Sequence, residues 1–142
     1  MSNFDEKTVD RIKRLEREVE RLRVKESGKF IALTTPLTST SWDRDNKTTS
    51  DRAIVDLSTV FGVPAGVKAV LMSIQTQADA ANDHIRFGPN STYNYALTCR
   101  TAVAGQLAHA SGIVPCDANG DIYCYTSGTV EGVSVWIWGY WL

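Results

Sequence analysis

A narrow apolar seam runs inside a dense stretch of charge near the start of this chain. Residues 11–23 read RIKRLEREVERLR, and Ile12, Leu15, Val19 and Leu22 recur at alternating steps of three and four. With Ile12 at heptad position a, Leu15 falls at d, Val19 at a and Leu22 at d. Such a seam is too narrow to dock a helix on a globular core, but it fits the contact line of a coiled coil. The flanking charges suit parallel chains in register. Arg11 at g meets Glu16 at the following e, and Glu18 at g meets Arg23 at the next e. Asn3 is placed to cap the helix, with Glu6 in the reciprocal position, and Ser27 with Gly28 supplies the stop. The spacing predicts a helix over about residues 5–26, and two heptads are short enough that the rest of the chain must share in assembly.

Beyond the helix the chain changes character. Residues 1–29 hold nine Lys/Arg and seven Asp/Glu, whereas residues 30–142 hold only six and nine. The second part is rich in Val, Ile, Thr, Ser, Gly and aromatics, the composition of a sheet protein. Two units follow: a coiled-coil helix over residues 1–28 and a β domain over 29–142. Strand-like runs separated by turn signals occur at 29–37, 53–61, 67–77, 84–87, 93–100, 106–116, 122–125 and 130–142. Asn119 and Gly120 predict a hairpin between the runs ending near Cys116 and starting at Ile122. About eight strands and no second helix make the expected class mainly β, an antiparallel sandwich of jelly-roll type behind a parallel coiled coil.

The final run, VSVWIWGYWL, constrains assembly again. Simple alternation puts Val133, Val135, Ile137 and Trp141 on one face and Trp136, Trp138, Tyr140 and Leu142 on the other. Both faces are large and apolar, so both must be covered. One faces the domain interior. The other, with Trp136, Trp138 and Tyr140, is expected at a subunit interface, where aromatics concentrate. A strand buried at an oligomer axis would also account for the chain stopping at Leu142.

Signals for chemistry are weak. His84 and His109 stand 25 residues apart without a nearby ligand pattern, and no nucleophile motif is present. The reading assigns no catalytic, cofactor or metal site. Residues 117–121 (DANGD) carry oxygens at alternate positions, but a turn explains Asp, Asn and Gly as well. Cys99, Cys116 and Cys124 form no C-x-x-C pair and read as buried free thiols, with a Cys116–Cys124 bridge left open. Asn46 and Asn90 head glycosylation patterns, which mean little in a chain with no signal-peptide pattern. A net charge of -1 argues against a general nucleic-acid binder, and no apolar run approaches the roughly 20 residues of a membrane span. The polar loops at 41–50 (with Trp42), 78–83 and 90–94 are the places to look for ligand contacts, although none is singled out.

The segments VDLST (55–59), GVPAGVKAVL (62–71), HIRFGP (84–89) and VWIWGYW (135–141) resemble the small C-terminal domains of bacteriophage virion appendages, chiefly tail-fibre and head-fibre knobs. The resemblance covers about residues 53–142 loosely, and RIKRLE resembles the short trimerisation motif of three-stranded coiled coils. The β-branched residues at a with Leu at d favour two strands, however, so the helix alone leaves dimer and trimer open. The resemblance implies a parallel homotrimer displayed on a virion and assembled in the host cytoplasm. Its N-terminus would contact other virion proteins, and its loops a host-surface receptor or glycan, without catalysis. Because the coil begins almost at Met1, the resemblance fits either a minimal fibre that attaches to the host or a decoration protein that coats or stabilises the capsid.

Overall fold

The computed structural model of the chain describes residues 6–26 and 28–142, the side chains of 22–26 excepted. Asn3 and Ser27, the expected capping residues, and the side chains of Leu22 and Arg23 therefore lie outside the described residues. Helix α1 runs Glu6–Glu26, and every described side chain along it is exposed. Gly28 then takes a left-handed φ of 80°, the conformation that closes a helix without a Cβ penalty. Its N–H donates to the Leu142 carbonyl at 2.6 Å, and the Leu142 N–H donates to Lys29 at 3.0 Å. The end of the helix is thereby tied to the end of the chain.

Nine strands follow among the described residues: β1 Phe30–Leu37, β2 Asp45–Lys47, β3 Ala53–Val55, β4 Ala69–Thr76, β5 His84–Gly88, β6 Leu97–Arg100, β7 Ala108–Pro115, β8 Ile122–Thr126 and β9 Val130–Trp141. They form two antiparallel sheets. The first has the order β1-β9-β4-β7, with β2 also pairing to β9; the second has the order β3-β8-β5-β6. Strand β4 shows how sequence sets the layers. Val70, Met72, Ile74 and Thr76 are buried, while the residues between them are half-exposed. The same period of two buries Ile85 and Phe87 on β5, and Ile122 and Cys124 on β8. Buried residues from both sheets join in one core.

Three local expectations are corrected. The run 53–61 is not one strand: after β3 the chain turns into a short helix, α2 Leu57–Phe61. Asp56 caps it, accepting the Thr59 N–H at 3.2 Å and the Ser58 hydroxyl at 2.9 Å, and Gly62 at φ 77° ends it. Leu57 and Phe61, four apart, both reach the core, a helical spacing hidden in a strand-like composition. The Asn119–Gly120 turn is real, with Gly120 at φ 82°, but β7 and β8 belong to different sheets, so it is a crossover and not a hairpin. Strand β6 starts at Leu97 and not near Tyr93, because residues 89–96 fold back on β5. A Cβ at Gly88 would clash with the Tyr93 carbonyl oxygen.

The last strand breaks its own alternation. Met72 pairs with Ile137 and Leu71 with Gly139, so Trp138 is an extra residue, a β-bulge. Beyond it the faces exchange. Tyr140 pairs with buried Val70 and packs against the core, while Trp141 turns outward and stacks on Phe30 with ring centroids 4.4 Å apart. Tyr140 therefore does not share a face with Trp136 and Trp138, contrary to simple alternation. Gly139 makes room for the Phe30 ring, whose atoms would lie 2.5 Å from a Cβ there.

Candidate functional site

Two outward surfaces remain after the core is formed on the helix and the first sheet. On α1, Ile12, Leu15 and Val19 are 44%, 65% and 51% exposed, a run of apolar side chains along a helix that no strand covers. Arg11 and Glu16 flank them, also exposed. Glu18 forms an ion pair within its own helix with Arg21, one turn on. Such an exposed pair contributes little and is readily exchanged for another partner. The second surface is the outer face of the first sheet. Trp136 lies across from Ser73, and Trp138 and Gly139 lie opposite Leu71, which in turn pairs with half-exposed Ile113 of β7. With Phe30 and Trp141 these form an apolar strip at the end of the sheet where Gly28 joins Leu142.

Chemically reactive groups are dispersed. His84 lies on the second sheet, its Nδ1 3.1 Å from the Asn82 carbonyl oxygen, and His109 lies on the first, opposite Gln75. Among the described residues, no group of three or more His, Cys, Asp or Glu is placed to hold a metal ion. The DANGD turn uses its carboxylates on backbone: Asp117 accepts N–H groups of Asn119 and Asp121 at 2.9 and 3.0 Å, and Asp121 accepts that of Leu57 at 3.2 Å. Burial pushes the Asp121 carboxyl above its ordinary value, and the negative charges of Asp56 and Asp117 add to it against the hydrogen bond from Leu57. Trp42, the aromatic of the 41–50 segment, belongs to the core. Its ring centroid is 5.7 Å from that of Phe87, and Lys47 Nζ sits 4.0 Å above it while donating to the Ser41 carbonyl. No described helix is long and apolar enough to cross a membrane.

No family model matches the sequence, and no curated protein matches it at a significant level.

All three cysteines are free thiols. Burial pushes Cys116 up to about 12, helped by the negative charges of Asp117 and Asp121. Burial also pushes Cys124 up to about 12, against the opposing charge of Lys47. Cys99 is raised too, by burial foremost. Since only the thiolate attacks, a thiol reagent at pH 8 is expected to leave the native protein unmodified for many minutes and to titrate all three cysteines once guanidinium unfolds it. Rapid stoichiometric labelling of the native chain would contradict these environments. The folded state keeps thiol protons that the unfolded chain releases above its ordinary value of 9.0, so this contribution to stability is complete below pH 9 and is lost as pH rises toward 12.

Proposed function

We propose that this chain is a structural virion protein, a parallel homotrimer whose coiled coil carries a jelly-roll knob that attaches the particle to a host surface by binding, without catalysis. The observation that carries the assembly is the exposed seam of Ile12, Leu15 and Val19 on a helix that makes no use of it within one chain. Covering three such side chains on each helix removes apolar surface from water at about 25 cal/mol per Å². The order of charges at Arg11, Glu16, Glu18 and Arg23 favours parallel neighbours in register. The helix ends beside the strip of Phe30, Trp141, Trp136 and Trp138, so bundling the helices brings these strips of adjacent chains within reach of one another.

The jelly-roll reading is supported by the strand orders β1-β9-β4-β7 and β3-β8-β5-β6. They interleave strands from both halves of the chain as two nested Greek keys do, with β2 as an addition beside β9. Three copies of a weak site on one rigid stalk gain avidity without any new contact.

The test has two parts. Sedimentation of the full-length protein is expected to give three times the chain mass of 15.7 kDa, and a monomer or dimer would refute the trimer. Gold-labelled antibody on particles, with adsorption measured in the presence of excess purified protein, then tests the role. Label at a tail tip with blocked adsorption supports attachment. Label over the shell with unchanged adsorption replaces it with capsid decoration.

A further inference from the structure

The outer face of the second sheet carries a cluster that assembly through the helix and the first sheet does not use. Cross-strand pairing sets Tyr125 of β8 opposite Arg86 of β5, and His84 of β5 opposite Arg100 of β6. Arg52, just ahead of β3, reaches the same tyrosine from the other neighbouring strand. The guanidinium carbons of Arg52 and Arg86 lie 4.4 and 4.2 Å from the Tyr125 ring centroid. One aromatic ring thus holds two guanidinium groups, and Arg100 stands on the next strand, diagonal to Arg86.

The charge balance of this face is abnormal for this chain. Residues 30–142 contain only six Lys/Arg, and three of them, all arginine, stand here. Among the described residues none of the three forms an ion pair. The nearest acids in sequence are engaged elsewhere: Asp51 accepts the Thr48 N–H at 2.7 Å, and Asp83 accepts the Ser127 hydroxyl at 3.2 Å. Arg52 is fixed by donating Nε and Nη2 to the Thr126 carbonyl at 2.9 and 2.7 Å. Arg86 has an enclosed Nε without a hydrogen-bond partner. Gathering like charges on neighbouring strands is unfavourable, and contact with an aromatic face offsets it only in part. An anion reached by the remaining Nη edges of these guanidinium groups would complete the balance, since a planar guanidinium suits a carboxylate or a phosphate.

The surroundings select the kind of anion. Tyr123, half-buried, lies two pairs along from Tyr125 on the same face and opposite Gly88. Over Gly88 folds the 89–96 loop, whose Tyr93 and Tyr95 are 58% and 60% exposed with ring centroids 6.4 Å apart. Aromatic faces beside a cationic pocket suit the apolar face of a sugar ring carrying an acidic group. Four strands at about 4.8 Å spacing give a face only about 14 Å wide. That accommodates one or two anionic groups and not the phosphate track on which nucleic-acid affinity depends.

We propose that this face binds an anionic saccharide, a sugar bearing a carboxylate or a phosphate, held by Arg52, Arg86 and Arg100 and flanked by Tyr123. Its role in attachment rests on the function proposed above, but the site is built within a single chain and does not need the trimer.

The test is calorimetric titration of the full-length protein with tetragalacturonate, mannose 6-phosphate, neutral maltotetraose and an oligothymidylate. At least one acidic sugar is expected to saturate the protein, at least about tenfold more tightly than maltotetraose, and to weaken as salt rises. Whichever acidic sugar binds identifies the anionic group. Arg86→Lys, which keeps the charge and loses the fork, and exposed Arg100→Ala are each expected to weaken binding about tenfold. A variant made monomeric by Ile12→Asp and Leu15→Asp is expected to keep the affinity per chain, so that loss of the trimer and loss of the site are separate results. Saturation by neither acidic sugar, equal affinity for maltotetraose, unchanged affinity in both arginine variants, or tighter binding of the oligothymidylate would overturn the proposal.

Discussion

On the proposed coiled coil, replacing Ile12 and Leu15 with aspartate is expected to give a monomer at micromolar concentration while the β domain stays folded. The two residues are 44% and 65% exposed in the single chain, so within one chain the substitutions break no packing and cost little. In a coiled coil the same positions face the axis, where each chain would bring two negative charges into a closed apolar seam. Burying unpaired charge is far costlier than any gain left to the g and e pairs at the rim. The helix itself should lose ellipticity, because 21 residues without partners form a marginal helix in water. Near-ultraviolet circular dichroism, dominated by the β-domain aromatics, should keep its form. Sedimentation checks the mass, and an unchanged oligomer would remove the seam from the assembly.

Phe87→Ala will be among the most destabilising single substitutions, at about 3–5 kcal/mol by the usual cost of truncating a buried aromatic. Phe87 is 1% exposed and lies against Trp42, which itself carries Lys47 on its ring. The phenyl ring therefore supports the 40–47 segment as well as the second sheet, and its loss leaves a cavity and a loosened Trp42. Against a total stability of about 5–15 kcal/mol, that is a large share. Urea unfolding in the monomeric Ile12→Asp, Leu15→Asp background measures it free of assembly. Ile54→Ala, at a position 64% exposed on the edge strand β3 of the same sheet, should stay within about 0.5 kcal/mol and serves as the control. Equal effects at the two positions would mean that the core is not as described.

Neither sheet order nor the cationic face is legible in the amino-acid order, although the parts of both are. Arg52, Arg86 and Arg100 are far apart in the chain and look like scattered surface charges until β3, β8, β5 and β6 stand side by side. The available signal was the scarcity of positive charge beyond residue 30, which makes each arginine there worth placing. The 90–94 loop does border the face, through Tyr93 over Gly88, whereas Trp42 of the 41–50 segment proved to be core.

Features that depend on neighbours a few residues away can be read along the chain. Heptad spacing and charge order marked the helix from Glu6 to Glu26, because side chains three and four apart share a face. Period-two burial marked β4, β5 and β8 for the corresponding reason in strands. Turn residues marked Gly120 and Gly62, where only a left-handed backbone turns the chain. Tertiary structure alone decided what depends on partners far along the chain. The bulge at Trp138 sends Tyr140 inward and Trp141 outward, because β9 must keep register with β4 on one side and β1 on the other. The Asn119–Gly120 turn became a crossover because β7 found β4, and β8 found β5. Strand partners are chosen by long-range burial, and no local pattern carries that information.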